Sequence, residues 1–137
     1  MQKNKIYLDT NIVADMIDKS RQNHKSSVTL LKKAITHNYT VCISEDMLST
    51  LYYISKNKRV TLEFFKNIIF IDWQILSFGK DIIESATDIS FENDHDLEDI
   101  LQCLCAKENG CFVLITNDSK FYDCGLKVCT ADVFLEV

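Results

Sequence analysis

A chain of 137 residues with 47% hydrophobic and 26% charged side chains can bury a core of its own, which excludes a low-complexity or disordered polypeptide and fits a single domain over 1–137. Its net charge of −5 excludes a broad basic footprint for gripping nucleic acid, so a polyanionic substrate would have to meet acids neutralised locally by a cation. No stretch reaches the ~20 apolar residues that span a bilayer, and the opening MQKNK has no apolar signal core, so the expectation is a cytoplasmic protein with no membrane partner.

Residues 5–8 (KIYL) read as a short buried strand that runs through Asp9, Thr10 and Asn11 into a helix. Residues 26–37 form the next helix, with Val28, Leu31, Ala34 and Ile35 at helical spacing. Thr40–Ser44 is a strand rich in β-branched residues, followed by helices over 45–55 and 61–70. A weaker strand at 74–78 leads to helices over 80–89 and 96–109. Gly110 suits a helix C-cap, and the continuous apolar run CFVLIT at 111–116 is the clearest strand. A weak strand at 126–129 and a short helix at 130–135 close the pattern. There is no proline, and with only three glycines nothing marks an internal linker.

Strands separated by helices require crossover connections and hence a mostly parallel sheet. The fold class is α/β, a three-layer α/β/α sandwich with a mostly parallel central sheet; its strand order is not readable from pattern. The six cysteines do not follow zinc-site spacing, and without a secretion signal the expectation is reduced, mostly buried thiols. Trp73, Phe64, Phe65 and Phe70 are expected in the core, and His24 and His37 at the surface.

All strand C-termini of a parallel sheet share one edge. Asp9 ends the first strand, Asp118 lies just beyond the run at 111–116, and ENDHDLEDILQCL opens the helix between. In that helix Leu97, Ile100, Leu101, Leu104 and Cys105 make the apolar stripe, which puts Asp96 and Asp99 on one flank and turns Glu98 towards solvent or a partner. Two carboxylates ~4 Å apart at an effective dielectric of ~20 repel by about 4 kcal/mol, so such a cluster either keeps protons or holds a cation. Oxygen donors without a His/Cys set point to Mg²⁺ or Mn²⁺, ions that bind phosphate oxygens and activate water. Each acid also has a plainer use. Asp9 or Thr10 can cap the first helix, Asp96 with Asp99 makes an N-cap with an acid at N3, and Asp118 suits a turn. KNKR at 56–59, beside Tyr52 and Tyr53, is either a phosphate contact with a stacking face or a solvated loop over a core tyrosine. His95, between two aspartates, is either a turn residue or an aid to proton transfer.

Taken together, LDTNI at 8–12, VCISEDMLSTLYYIS at 41–55, DLEDILQCLCAKENGCFVLITND at 96–118 and GLKVCTADVFLE at 125–136 resemble the PIN-domain ribonucleases, in particular small stand-alone members of the VapC toxin type. The likeness covers nearly the whole chain. It implies cleavage of RNA phosphodiesters by water activated at a metal-dependent acidic site, with an antitoxin protein as partner and a homodimer left open. The family's acids fall on Asp9, Asp99 and Asp118 as metal ligands, with Asp96 as an additional catalytic acid; Asn11 and Thr116 fall on supporting positions. One position departs: the family's glutamate on the third helix is Thr50 here, with Asp46 one turn earlier on the same face. The function implied is a Mg²⁺- or Mn²⁺-dependent endoribonuclease, the toxin of a toxin–antitoxin pair. The alternative is a PIN-like scaffold with an eroded site, which Thr50 favours. A phosphotransfer protein using Asp9 as nucleophile is weakened by Asn11, which stands where that chemistry places an acid.

Overall fold

The computed structural model describes residues 2–136. Its strands are β1 (Gln2–Leu8), β2 (Thr40–Ser44), β3 (Gln74–Leu76), β4 (Cys111–Ile115) and β5 (Lys127–Cys129). Helices α1 (Thr10–Ile17) and α2 (His24–Thr36) follow β1, and α3 (Glu45–Ile54), α4 (Lys58–Phe64) and α5 (Phe70–Asp72) follow β2. Helices α6 (Gly79–Asn93) and α7 (Leu97–Glu108) join β3 to β4, and α8 (Ala131–Leu135) follows β5. All strand pairs are parallel, in the order β3-β2-β1-β4-β5.

The order explains the burial. Ile6, Tyr7 and Leu8 are consecutive and fully buried because β1 lies at the centre with helices on both faces. Val113, Leu114 and Ile115 of β4 are buried for the same reason, whereas the edge strands β3 and β5 are short and partly exposed. From β1 the chain steps outward to β2 and β3, then returns past β1 to β4 and β5. That reversal leaves a crevice at the C-terminal ends of β1 and β4, where such sheets hold ligands.

Several expectations need correction. The helix expected over 61–70 begins at Lys58, capped by Asn57 Oδ1 accepting from Val60 N–H at 3.2 Å, and is interrupted by a π-helical turn at Phe65–Ile69. That turn buries Phe65 and leaves Phe70 58% exposed; Phe64 and Trp73 pack edge to face at 5.9 Å, half-buried. Tyr53 is 85% exposed and Tyr52 carries the Lys58 ammonium over its ring, so neither is a core tyrosine. His24 is half-buried, its Nδ1 2.7 Å from the Asp15 carbonyl, next to a buried Asp15 paired with Arg21 at 2.6 Å. Leu97 is 42% exposed because it is the first residue of α7 and precedes the part of the helix covered by neighbours. The buried face is instead Ile100, Gln102, Cys103, Cys105 and Ala106, broadened because α7 packs between the sheet and α6.

The cysteines divide. Cys42, Cys105 and Cys111 are free and buried as expected, and burial pushes the Cys105 thiol up to about 11. Cys103 and Cys124, however, form a disulfide, because the return from β4 to β5 lays residue 124 beside α7. Among the described residues, no helix is long and apolar enough to cross a membrane.

Candidate functional site

Asp9 stands where β1 gives way to α1, with φ −69° and ψ 158°, and its Oδ1 accepts from Thr10 N–H at 2.7 Å. It is a helix cap, as the plainer reading held. Its second oxygen has separate work: Oδ2 accepts from the Thr116 hydroxyl at 2.7 Å and from Asn11 Nδ2 at 3.0 Å. The residue is only 6% exposed. A carboxylate offers about four acceptor directions, and these donors fill three, two of them on Oδ2, which leaves one on Oδ1.

Thr116, the first residue beyond β4, ties the crevice together. Its hydroxyl donates to Asp9 and accepts from Asn11 Nδ2 at 3.3 Å and from Asp118 N–H at 3.1 Å. Its own N–H donates to Cys129 O at 3.0 Å, and Asp9 N–H donates to Ile115 O at 3.0 Å. Asn117 N–H reaches Asn11 Oδ1 at 3.4 Å, and Asn117 Oδ1 accepts from Ala131 N–H at 3.3 Å, which adds α8 to the network. Thr116→Val keeps the shape but leaves a buried carboxylate oxygen short of its nearest donor. The expected result is a loss of about 1–3 kcal/mol in urea unfolding, larger than for Thr36→Val on the exposed face of α2.

Asp96 caps α7, its Oδ1 accepting from Asp99 N–H at 3.0 Å. Asp99 follows in the first turn, half-buried, and its carboxyl is pushed up to about 7 by burial first and then by the charges of Asp96, Asp9, Asp118 and Glu98. Asp118 is exposed, with its Oδ1 accepting from Lys120 N–H at 2.9 Å. The acids from three separate stretches thus share one negative field at the β1–β4 crevice. Glu98 belongs to it too. Its side chain is solvent-exposed, as expected, yet burial and then the charges of Asp46, Asp9 and Asp96 raise its carboxyl.

Other candidates are placed differently. The Thr50 hydroxyl turns back to the Asp46 carbonyl of its own helix at 3.4 Å, and no hydrogen bond joins it to Asp9, Asp99 or Asp118. Asp46, held by the Ser44 hydroxyl, is the α3 acid that acts on Glu98. Glu45 accepts from Ser77 beside β3 at 2.8 Å. His95 carries its ring 5.1 Å from that of Tyr122 and its carbonyl accepts from Ser90, as a turn residue does. In KNKR, Lys58 bonds to the carbonyls of Tyr52 and Ser55, and Arg59 pairs with Glu63, so these cations are engaged on their own surface.

The donor chemistry fits a hard divalent cation: every candidate ligand is a carboxylate, amide or hydroxyl oxygen, and no cationic side chain among the described residues offsets the raised carboxyls of Glu98 and Asp99. The buried Thr10 hydroxyl next to Asp9 also has no hydrogen-bond partner among the described residues. Yet no three His, Cys, Asp or Glu side chains among the described residues stand close enough to make a ready ligand shell. An ion of the Mg²⁺ type, bound by one or two carboxylates and keeping several waters, does not require one.

Comparison with known proteins agrees in fold and length. The PIN domain family profile matches residues 6–126. Ribonuclease VapC1 of Aquifex aeolicus (strain VF5) is 34% identical over 140 residues, covering 99% of this chain and 96% of that protein. Among solved structures, the sarcin-ricin loop cleaving toxin VapC20 of Mycobacterium tuberculosis superposes with a TM-score of 0.70 at 16% identity, covering 88% of this chain and 95% of that one. VapBC2 from Rickettsia felis, bound to a DNA fragment from its promoter, gives 0.69 at 23% identity, covering 92% and 98%. At these identities the two structures speak to the fold alone.

Proposed function

The chain belongs to the PIN-domain family, and from that premise we propose that it is a single-domain endoribonuclease acting with Mg²⁺ or Mn²⁺, and the toxin of a toxin–antitoxin pair. The observation that carries this reading is the pairing of Asp9, buried and held by Thr116 and Asn11, with Asp99, whose carboxyl is raised by burial and then by the charges of Asp96, Asp9 and Asp118. The full-length likeness to a ribonuclease supports it.

Asp9, Asp99 and Asp118 are assigned to the cation, one or two of them as direct ligands and the rest through its waters. Asp96 fixes the start of α7 and deepens the negative field; Asn11 and Thr116 hold Asp9 in one orientation. The cation supplies neutralisation of the substrate phosphate and activation of the attacking water. The chain supplies position: Asp9 is set by the sheet, Asp99 by the α7 cap and Asp118 by the Thr116 hydroxyl. With its carboxyl at about 7, Asp99 holds a proton below neutral pH and would have to release it to serve as a ligand. Local neutralisation also answers how a chain of net charge −5 receives a polyanion.

An antitoxin segment fits the cleft of about 270 Å³ between α1, α3 and α4, walled by Ala14, Ile17, Leu51, Ile54 and Val60 and edged by Arg21 and Lys56. Cytoplasmic location and, as an open point, a homodimer complete the reading. Its rival is a scaffold with an eroded site, favoured by Thr50 and by the absence of a ready ligand shell among the described residues.

Calorimetry with Mg²⁺ and Mn²⁺, paired with cleavage of structured and single-stranded RNAs, separates the two. Cation binding with cleavage, both lost in Asp99→Asn, supports the nuclease; no cleavage with either ion supports the scaffold. Asp46→Asn is expected to lower cleavage about tenfold and Thr50→Ala less than about threefold, because Asp46, and not Thr50, is the α3 residue whose charge reaches the acids of the crevice. A larger loss in Thr50→Ala would return the α3 role to Thr50.

A further inference from the structure

The segment 116–126 between β4 and β5 begins with Thr116 and Asp118, and its internal hydrogen bonds are local. Lys120 N–H and Phe121 N–H return to Asp118, and Gly125 N–H to Asp123. Phe121 and Leu126 rest half-buried on the core. Its tip is joined to the helical layer at residues 122–124. Cys124 is bonded to Cys103 of α7 with Cα atoms 6.1 Å apart, and Lys107 Nζ donates to the Cys124 carbonyl at 3.1 Å. The Tyr122 ring meets that of His95, the residue before the α7 cap.

Cys103 is four residues after Asp99 and therefore on the same side of α7. One covalent bond thus links the helix turn that follows Asp99 to the loop that begins at Asp118. The two residues differ in burial: Cys103 is fully buried and Cys124 half-buried. Disulfides persist where the surroundings are oxidising, and in reducing compartments they are more often responsive than structural.

We propose that Cys103–Cys124 is a redox clamp on the acidic crevice, holding the Asp118 loop against α7 when formed and releasing it when reduced by a dithiol. Its effect on cleavage rests on the nuclease reading; its effect on the loop does not. A dithiol's thiolate attacks the sulfur of Cys124, the less buried residue of the pair, and the Cys103 sulfur departs as a thiolate and takes up a proton. The second thiol of the reductant, deprotonated, then attacks its own sulfur of the mixed disulfide and frees Cys124 as a thiolate, which is protonated. One protein disulfide and one dithiol become two protein thiols and one reductant disulfide.

The test equilibrates the full chain with oxidised or reduced dithiothreitol. Thiols are counted by alkylation and mass spectrometry after unfolding, and hydrogen exchange, Tm and RNA cleavage are compared in the two states. Reduction is expected to speed exchange in 117–126 by about tenfold or more and to lower Tm by roughly 10 °C, as opening a cross-link over 21 residues should. Cleavage should fall about tenfold. Cys124→Ser, altered on the half-exposed side, should behave as the reduced chain in both buffers, while Cys129→Ser keeps the response. Free Cys103 and Cys124 in the oxidised buffer, or exchange and cleavage indifferent to reduction, would overturn the clamp. A loop that loosens on reduction in a chain that cleaves no RNA in either state would support the clamp and remove the nuclease reading.

Discussion

Asp9→Asn is expected to reduce cation-dependent RNA cleavage by about a thousandfold or more while the chain stays folded. The substitution removes the charge at the most rigidly held carboxylate of the crevice, the one with a single acceptor direction left over. Asparagine is as good an N-cap as aspartate, so the bond to Thr10 N–H can survive. Its amide nitrogen would then face Asn11 Nδ2 and the Thr116 hydroxyl. The hydroxyl can rotate to accept, but Asn11 must give way, at about 1 kcal/mol. Initial rates in Mn²⁺ and a thermal melt decide the matter together. Lost cleavage with Tm within a few degrees of wild type assigns the charge to chemistry. Cleavage above a tenth of wild type would move the cation to the Asp99–Asp118 side and leave Asp9 as a cap.

Cap and ligand looked like competing uses of Asp9 because a sequence names a residue and not its acceptor directions, of which the one left over lies on Oδ1 beside the capping bond. In the structure Oδ1 caps α1 while Oδ2 accepts from Thr116 and Asn11. Asp96 was ambiguous in the same way, and its capping bond is present. The central strands were legible because continuous apolar runs such as KIYL and CFVLIT occur where a strand is covered on both faces. Strand order was not, and it places the crevice: only the return past β1 to β4 sets Thr116 against Asp9. Leu97 was misplaced in the buried stripe: it begins the helix, where an apolar residue need not touch the sheet. Nor could spacing pair Cys103 with Cys124, since a contact across 21 residues depends on where the β4–β5 loop lies.

The largest expected pH effect belongs to Asp99. Its carboxyl stands at about 7 in the folded chain against an ordinary 3.8, so without a cation the folded state binds the proton more tightly than the unfolded one. The stabilisation is therefore complete below 3.8 and is lost as pH rises through about 7. Asp99→Asn should accordingly stabilise the cation-free chain above pH 7, by about 1 kcal/mol once screening of a half-exposed group is allowed for, and change little below pH 4. With a cation the sign reverses, because the ligand is the carboxylate and the proton must leave. Affinity for Mn²⁺ should fall about tenfold per pH unit below about 7 and level off above it. Cleavage at subsaturating Mn²⁺ should follow the same slope. Titration calorimetry in two buffers of different ionisation enthalpy checks this directly, since about one proton should be released per cation at pH 6 and almost none at pH 9. A midpoint near 4 would mean that neither the burial of Asp99 nor the charges of Asp96, Asp9 and Asp118 are felt there in solution. The crevice would then have to be more open than the half-buried position of that side chain allows.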